Sequence, residues 1–174
     1  MSTSDSLRRN TDPRFVGIAE LKRKQAEQLS IFERRAAQGD WQAIHRDHYD
    51  WWMFPIDESS QHGDAYTVYA GDIAELKQDP AYVRSYLRGV ELLALAWGWD
   101  LARRHAIAKP QRGQAWSHWP IRLYKAARSL QLFGYTNEFD SLKAFALDLL
   151  SKGESLRYGR DDLARLFTEG RPRR

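Results

Sequence analysis

Residues 80–97 constrain the fold more than any other segment, because apolar side chains recur there every three or four positions. Such spacing is typical of an amphipathic α-helix that buries one face. Asp79 and Pro80 mark its start, since aspartate caps helix N-termini and proline suits the first helical position. We therefore predict a central core helix whose buried face comprises Tyr82, Tyr86, Val90, Leu93 and Trp97.

Similar spacing predicts that most of the remaining chain is helical. No stretch alternates convincingly between apolar and polar residues over five or more positions, so no strand is predicted. The fold class is therefore all-α, a single compact domain of about six or seven helices. The other predicted helices cover residues 15–38, a short stretch from 41, residues 71–78, 120–133, 137–151 and 160–168.

The chain length of 174 residues suits one domain, since two would each be small for an independent core. We expect residues 1–14 to form a flexible arm, residues 15–170 the helical domain and residues 171–174 a basic tail. The arm and the tail carry the whole net charge of +4. A few flexible arginines attract nucleic acid weakly and without sequence preference, which argues against nucleic acid as the partner. If the tails did bind it, removal of residues 171–174 would abolish the association.

The chain contains no cysteine, which excludes disulfides, thiolate metal sites and cysteine nucleophiles and is compatible with a reducing compartment. The N-terminal residues 1–15 lack the apolar region of a secretory signal. The longest apolar run, residues 90–97, is too short to cross a bilayer. We therefore expect a cytoplasmic protein, or a nuclear one in a eukaryote, with no membrane span.

Acidic and basic residues are segregated within the body of the chain. Residues 47–79 hold eight acidic side chains against one lysine, whereas residues 101–128 hold seven basic side chains and no acid. The two segments could face one another or simply be solvated. We favour this interpretation because single-sign stretches are common on protein surfaces. They could instead form a groove with one wall of each sign.

The segment IHRDHYDWWMFPID, residues 44–57, concentrates polar and aromatic side chains. His45 and His48 would share a helix face and could bind a metal together with an aspartate or a distant histidine. A metal site needs three or four ligands, however, and only two histidines are local. We therefore predict hydrogen-bonded structural histidines, with no metal and no other cofactor.

Catalysis has little support in the sequence, because motifs such as GxSxG, HExxH and the phosphate-binding glycine loop are absent. We therefore favour a role other than catalysis. The alternative is a hydrolase or a phosphoryl-handling enzyme that uses His45, His48 and Asp50 together with Arg122.

Seven tryptophans in one domain cannot all be fully buried. Four of them flank the glycine-containing break between the central helix and the helix that starts at residue 120, where loop residues often carry function. Arg122, Lys125 and Arg128 follow as a cationic stripe, either a solvated face or an anion site. Arg122 lies in the first helical turn, where the helix dipole attracts anions.

Three blocks in this order resemble the conserved region of the opioid growth factor receptor family. They are HYDWWMFPI at 48–56, the helices of 72–101 ending in WGWDL, and SHWPIRLYKAARSLQLFGY at 117–135. Together they cover residues 41–147. This chain departs from the family at Trp119-Pro120, where polar residues are usual, and at Trp51-Trp52, which enlarge the aromatic cluster. The resemblance implies an all-helical binding or interaction domain, in a family named for binding a short opioid peptide.

The hypothesis that follows is a domain that binds a peptide or protein ligand in an aromatic and cationic groove. A tyrosine or phenylalanine ring of the ligand would lie among the tryptophans, while Arg122 or Lys125 would bind a carboxylate. The candidate ligand-binding residues are His48, Trp51, Trp52, Trp97, Trp99, Trp116, Trp119, Arg122 and Lys125.

Overall fold

The computed structural model describes residues 7–174, and this part of the chain folds into eight helices and two short hairpins. With 54% of the residues helical, the mainly helical class is confirmed. None of these helices is both long and apolar enough to cross a membrane. The helices are α1 (Ile18–Ala37), α2 (Trp41–Arg46), α3 (Asp50–Met53), α4 (Ala70–Lys77), α5 (Pro80–Ala96), α6 (Pro120–Phe133), α7 (Thr136–Ser151) and α8 (Arg165–Glu169).

The fold differs from the sequence prediction in one additional helix, α3, and in two antiparallel hairpins. Strand β1 (Trp99–Asp100) pairs with β2 (His105–Ala106), and β3 (Arg157–Tyr158) pairs with β4 (Asp161–Asp162). The second hairpin occupies the predicted start of the last helix, so α8 begins later than expected. Two-residue strands and a four-residue helix are too short for a hydrophobic pattern to repeat within them, so periodicity does not reveal such elements.

Local sequence signals determine where α5 begins and where α6 ends. The Asp79 carboxylate accepts hydrogen bonds from the backbone N–H groups of Ala81 and Tyr82 at 3.0 and 3.3 Å, and Pro80 is the first residue of α5. Helix α6 ends at Gly134, whose φ of 80° lies in the left-handed region that glycine favours. Capping alone thus predicts these bounds correctly.

The core forms where α5 packs against α1 and where α6 packs along α7. Tyr86 of α5 is fully buried, stacks on Phe133 with ring centroids 4.7 Å apart, and donates a hydrogen bond to Ser129 Oγ at 2.8 Å. Gly89 lets α3 lie close to α5, since a Cβ there would come within 2.6 Å of Met53 Cε. The core thereby holds α3 in place beside α6.

The N-terminal arm is docked over the start of α4 within the described residues. The Gly71 N–H donates to the Arg8 carbonyl at 2.7 Å, and the Asn10 N–H donates to the Asp72 carboxylate at 2.8 Å. The Asn10 amide also donates to two loop carbonyls, those of Asp64 and Thr67. Residues 8–10 of the predicted flexible arm therefore have fixed partners, and residues 1–6 lie outside the described residues.

Replacement of Gly71 by alanine should release the arm. A Cβ at this position would lie 2.9 Å from the Leu7 carbonyl oxygen and 3.0 Å from that of Arg8, and neither backbone group can rotate away. We expect trypsin to cleave after Arg9 about tenfold faster, the factor that corresponds to about 1.4 kcal/mol of lost docking free energy. Ala70→Ser, at an exposed neighbouring position, is the control; equal cleavage rates in the two variants would contradict the docking.

Candidate ligand-binding site

A cavity of about 400 Å³ opens beside α3 and α6, under the loop that follows α3 and the C-terminal residues. Its walls combine aromatic and charged side chains, and Trp119 is 45% exposed. The aromatic lining comprises Trp51, Phe54, Tyr66, Trp119 and Tyr158, and the charged lining comprises Asp50, Glu58, Arg122, Lys125, Arg173 and Arg174.

Arg122 is fully occupied by contacts within the protein. Its Nη1 donates to the His45 carbonyl at 2.8 Å, its Nη2 to the Asp47 carbonyl at 2.7 Å and its Nε to the Asp50 carboxylate at 3.2 Å. Its guanidinium also lies 4.3 Å above the Tyr49 ring. With a side chain only 2% exposed, Arg122 fixes the protein structure and has little capacity left for a ligand.

Lys125, one turn further along α6, is the buried cation with the least internal compensation in this cavity, since the buried Arg122 and Arg173 each have a shorter ionic contact. Within residues 7–174 its ammonium has one ionic partner, Asp50, at 3.6 Å, which is longer than an ordinary hydrogen bond. The ammonium also lies 4.9 Å from the Trp51 ring centroid. Burial lowers the pKa of Lys125, and the nearby Asp50 carboxylate opposes this shift.

The C-terminal residues close one side of the cavity through a buried ion pair. Arg173 Nε contacts the Glu58 carboxylate at 2.8 Å, and both side chains are less than 10% exposed. The Tyr124 hydroxyl donates to Glu58 at 2.6 Å and accepts from the Arg173 N–H at 3.0 Å. Burial, and then the Glu58 carboxylate, raise the pKa of the Tyr124 hydroxyl, so it remains a neutral donor. Residue 173 of the predicted basic tail is thus part of a cavity wall.

The segregated acidic and basic segments face one another across this region. Arg122 and Lys125 contact Asp50, and Arg128 contacts Asp57 at 2.9 Å. Because four basic and two acidic side chains line the cavity, the lining has an excess of positive charge. The cavity therefore favours a ligand that carries a negative charge.

The structure brings five of the nine predicted ligand-binding residues together around the cavity, namely His48, Trp51, Trp119, Arg122 and Lys125. Trp52 lies next to them and packs against Tyr66 with ring centroids 5.5 Å apart. The aromatic and cationic combination that the sequence suggested is therefore present, with Arg122 as a structural member of the set.

The remaining three predicted ligand-binding residues are tryptophans that form a separate cluster around Phe145. Trp97, Trp99 and Trp116 have ring centroids 5.6, 5.2 and 5.8 Å from that of Phe145. Trp97 donates its indole N–H to a serine, and Trp99 donates to Ser141. Trp97 and Trp99 are buried with paired N–H groups and belong to the core, whereas Trp116 is partly buried and packs against it. None of the three lines the cavity.

His45 and His48 do not share one site. His45 Nε2 hydrogen-bonds to the Ala96 carbonyl at 2.9 Å, whereas His48 lines the cavity. Within residues 7–174 no group of three or more histidine, aspartate or glutamate side chains is arranged to hold a metal ion. The residues proposed for the enzymatic alternative are thus divided between the α5 interface and the cavity, and Asp50 is ion-paired.

Sequence reasoning missed several residues of the cavity. Glu58 and Tyr66 lie in or beside the loop of residues 57–65, and Arg173 lies in the predicted tail. Glu58 contacts Tyr124, which is 66 positions away in the chain, and Arg173, which is 115 positions away. The sequence shows that Glu58 belongs to the acidic segment of residues 47–79, but it does not show which residues Glu58 contacts.

No protein-family model, curated protein or solved structure matches this chain. The resemblance to the opioid growth factor receptor family therefore stays a prediction. The geometry and charge of the cavity are the observations that bear on function.

Replacement of Arg122 by methionine should destabilise the protein severely. The change removes a buried guanidinium and leaves the Asp50 carboxylate and two backbone carbonyls without their donor. Removing one partner of a buried ion pair typically costs about 3–5 kcal/mol. The free energy of unfolding, measured in urea, should fall by that amount. Arg128→Met on the same helix breaks a more exposed pair and should cost about 1 kcal/mol; equal losses would contradict the role of Arg122.

His45 should make the protein less stable in mild acid. Burial lowers the pKa of its imidazole below 6.5, so the unfolded chain takes up the proton first as the pH falls. The free energy of unfolding should therefore decrease as the pH drops below 6.5, and His45→Gln should reduce the difference measured between pH 7.5 and 5.5. His105→Gln, at an exposed position, is the control and should leave that difference unchanged.

Proposed function

We propose that this chain binds a short peptide, or a peptide segment of a protein partner, in the cavity beside α3 and α6. An aromatic side chain of the ligand packs against Trp51 and Trp119, and a carboxylate of the ligand contacts the Lys125 ammonium. The observation that carries the proposal is the position of Lys125, a buried cation with one long ionic contact, on the wall of an aromatic-lined cavity.

The size of the cavity suits a peptide ligand. Small-ligand sites commonly have volumes of about 300–1,000 Å³ and combine apolar walls with a few polar groups. A cavity of about 400 Å³ accommodates one aromatic residue with its adjoining backbone, and a folded partner could insert such a residue from a loop or a terminus. The exposure of Trp119 provides an aromatic surface that a ligand reaches from solvent.

The charge of the cavity favours an acidic group on the ligand. Arg122 and Lys125 share the single carboxylate of Asp50, so a ligand carboxylate would compensate the second positive charge. Charge-assisted hydrogen bonds are stronger where water is excluded. Because the pKa of Lys125 is lowered, the contact should weaken in mild alkali, where a solvated lysine would still be charged.

The family resemblance supports the same class of ligand. The opioid growth factor receptor family is named for a short opioid peptide, and the matching blocks in this chain contain His48, Trp51 and Lys125. We therefore propose that the chain acts as a peptide-recognition domain of that type, with a role in signalling.

Titration with a small aromatic peptide tests this function. N-acetyl-glycyl-phenylalanine should change the tryptophan fluorescence saturably, because Trp51 and Trp119 line the cavity. Its C-terminal amide should bind at least about tenfold more weakly, since a hydrogen bond to a charged group contributes about 1.5 kcal/mol. No spectral change at millimolar peptide, or equal affinity for acid and amide, would contradict the proposal.

Two variants identify the cation that binds the carboxylate. Lys125→Met should lower the affinity for the acid to that for the amide while leaving the amide unaffected. Lys143→Met removes an exposed lysine from α7 and is the matched control, so it should leave both affinities unchanged.

A further inference from the structure

We propose that Lys125 is also a nucleophile, whose amine forms an imine with the carbonyl group of an aromatic aldehyde or ketone bound in the cavity. This activity goes beyond peptide binding, since it needs the neutral amine instead of the ammonium. It uses the same cavity walls and makes a covalent bond where the peptide would make an ionic contact.

The position of Lys125 meets the structural requirements for such a nucleophile. Its side chain is 9% exposed, lies on the wall of the cavity and projects from a helix that is anchored in the core. The Trp51 ring lies 4.9 Å from the nitrogen and covers it with an apolar surface. Lysines become nucleophilic where they are shielded from water or where a second cation lies nearby. Lys125 is buried and lies near Arg173, so it meets both conditions.

The charged groups around Lys125 leave it weakly compensated. Asp50 faces it from α3 and Glu58 from the following loop, while Arg122 precedes it by one turn of α6. Arg173 and Arg174 of the C-terminal residues and His48, just before α3, also line the cavity. Both carboxylates already pair with an arginine, at 3.2 Å for Asp50 and 2.8 Å for Glu58. Burial is the main cause that lowers the pKa of Lys125, and Arg173 adds to it. A larger fraction of this amine is therefore neutral near pH 8 than for a solvated lysine.

The reaction needs no oxidant, reductant or second substrate. The lone pair of the neutral amine attacks the carbonyl carbon, and a C–N bond forms as the C=O π bond opens. One proton moves from the nitrogen to the oxygen to give a neutral carbinolamine. The C–O bond then breaks, and the hydroxyl leaves with the second nitrogen proton as water. One amine and one aldehyde thus yield one imine and one water. The protonated imine carries the same charge as the ammonium, and Asp50 at 3.6 Å compensates it in the same way.

The walls of the cavity favour an aromatic carbonyl compound. Trp51, Phe54 and Trp119 offer apolar surface for a ring. A carbonyl group attached to an aromatic ring would then meet the Lys125 nitrogen, whereas a strongly hydrated aldehyde would gain little from this site.

Reductive trapping on the wild-type protein tests the proposal. The protein is incubated with benzaldehyde and sodium cyanoborohydride at pH 7.5, and the modified lysines are quantified by peptide mass spectrometry. We expect Lys125 to react at least about tenfold faster than the exposed Lys109 and Lys143, because the cavity walls hold the aldehyde beside its nitrogen. A rate at Lys125 equal to or below those of the two reference lysines would overturn the proposal.

The pH dependence separates a nucleophilic lysine from one that is merely accessible. Between pH 6 and 10 the rate at Lys125 should rise at lower pH than the rates at Lys109 and Lys143. Coincident profiles would also overturn the proposal. Lys125→Arg keeps the positive charge and should abolish only the signal at residue 125, leaving the two reference rates unchanged.

Protection by peptide distinguishes this inference from the proposed function. If both hold, saturating N-acetyl-glycyl-phenylalanine should slow the labelling of Lys125. Fast labelling without protection would support the nucleophilic lysine and contradict peptide binding at this cavity. Slow labelling of Lys125 in a protein that binds the peptide would overturn the nucleophile alone.

Discussion

The buried guanidinium of Arg122 is the interaction on which the cavity region depends. It donates to the carbonyls of His45 and Asp47, at the end of α2, and to the carboxylate of Asp50, at the start of α3. The last carbonyls of a helix have no partner within it, and leaving them buried and unpaired would destabilise the fold. One side chain of α6 thus caps α2, orients α3 and joins both to the second half of the core.

Because Arg122 is occupied by these contacts, it also determines which cation of the cavity is available to a ligand. Because Arg122 takes one oxygen of Asp50 at 3.2 Å, Lys125 is left with the other at 3.6 Å. On the opposite side, Arg173 neutralises Glu58. Among the buried cations of the cavity, Lys125 therefore has the weakest ionic compensation, and it lies against an aromatic wall. Peptide carboxylate binding and amine nucleophilicity both follow from that imbalance, the first in the charged form of the lysine and the second in the neutral form.

Much of the helical framework was predictable because its signals are local. Asp79-Pro80 begins α5 and Gly134 ends α6, and the three- and four-residue spacing of apolar side chains identifies their buried faces. The short elements were not predictable, since α3 and the four two-residue strands depend on packing and pairing with neighbours. The N-terminal arm was expected to be flexible because it is polar, yet Asn10 binds groups 54, 57 and 62 positions away.

The sequence by itself determined the mainly helical class, the start of α5, the end of α6 and the presence of an aromatic and cationic set of residues. Only the tertiary structure decided which tryptophans line a cavity and which pack around Phe145, and which cation is left for a ligand. The physical reason is that burial and ion pairing depend on residues far apart in the chain. Asp50 meets Arg122 across 72 positions, and Glu58 meets Arg173 across 115. No pattern of neighbouring residues in the sequence indicates these contacts.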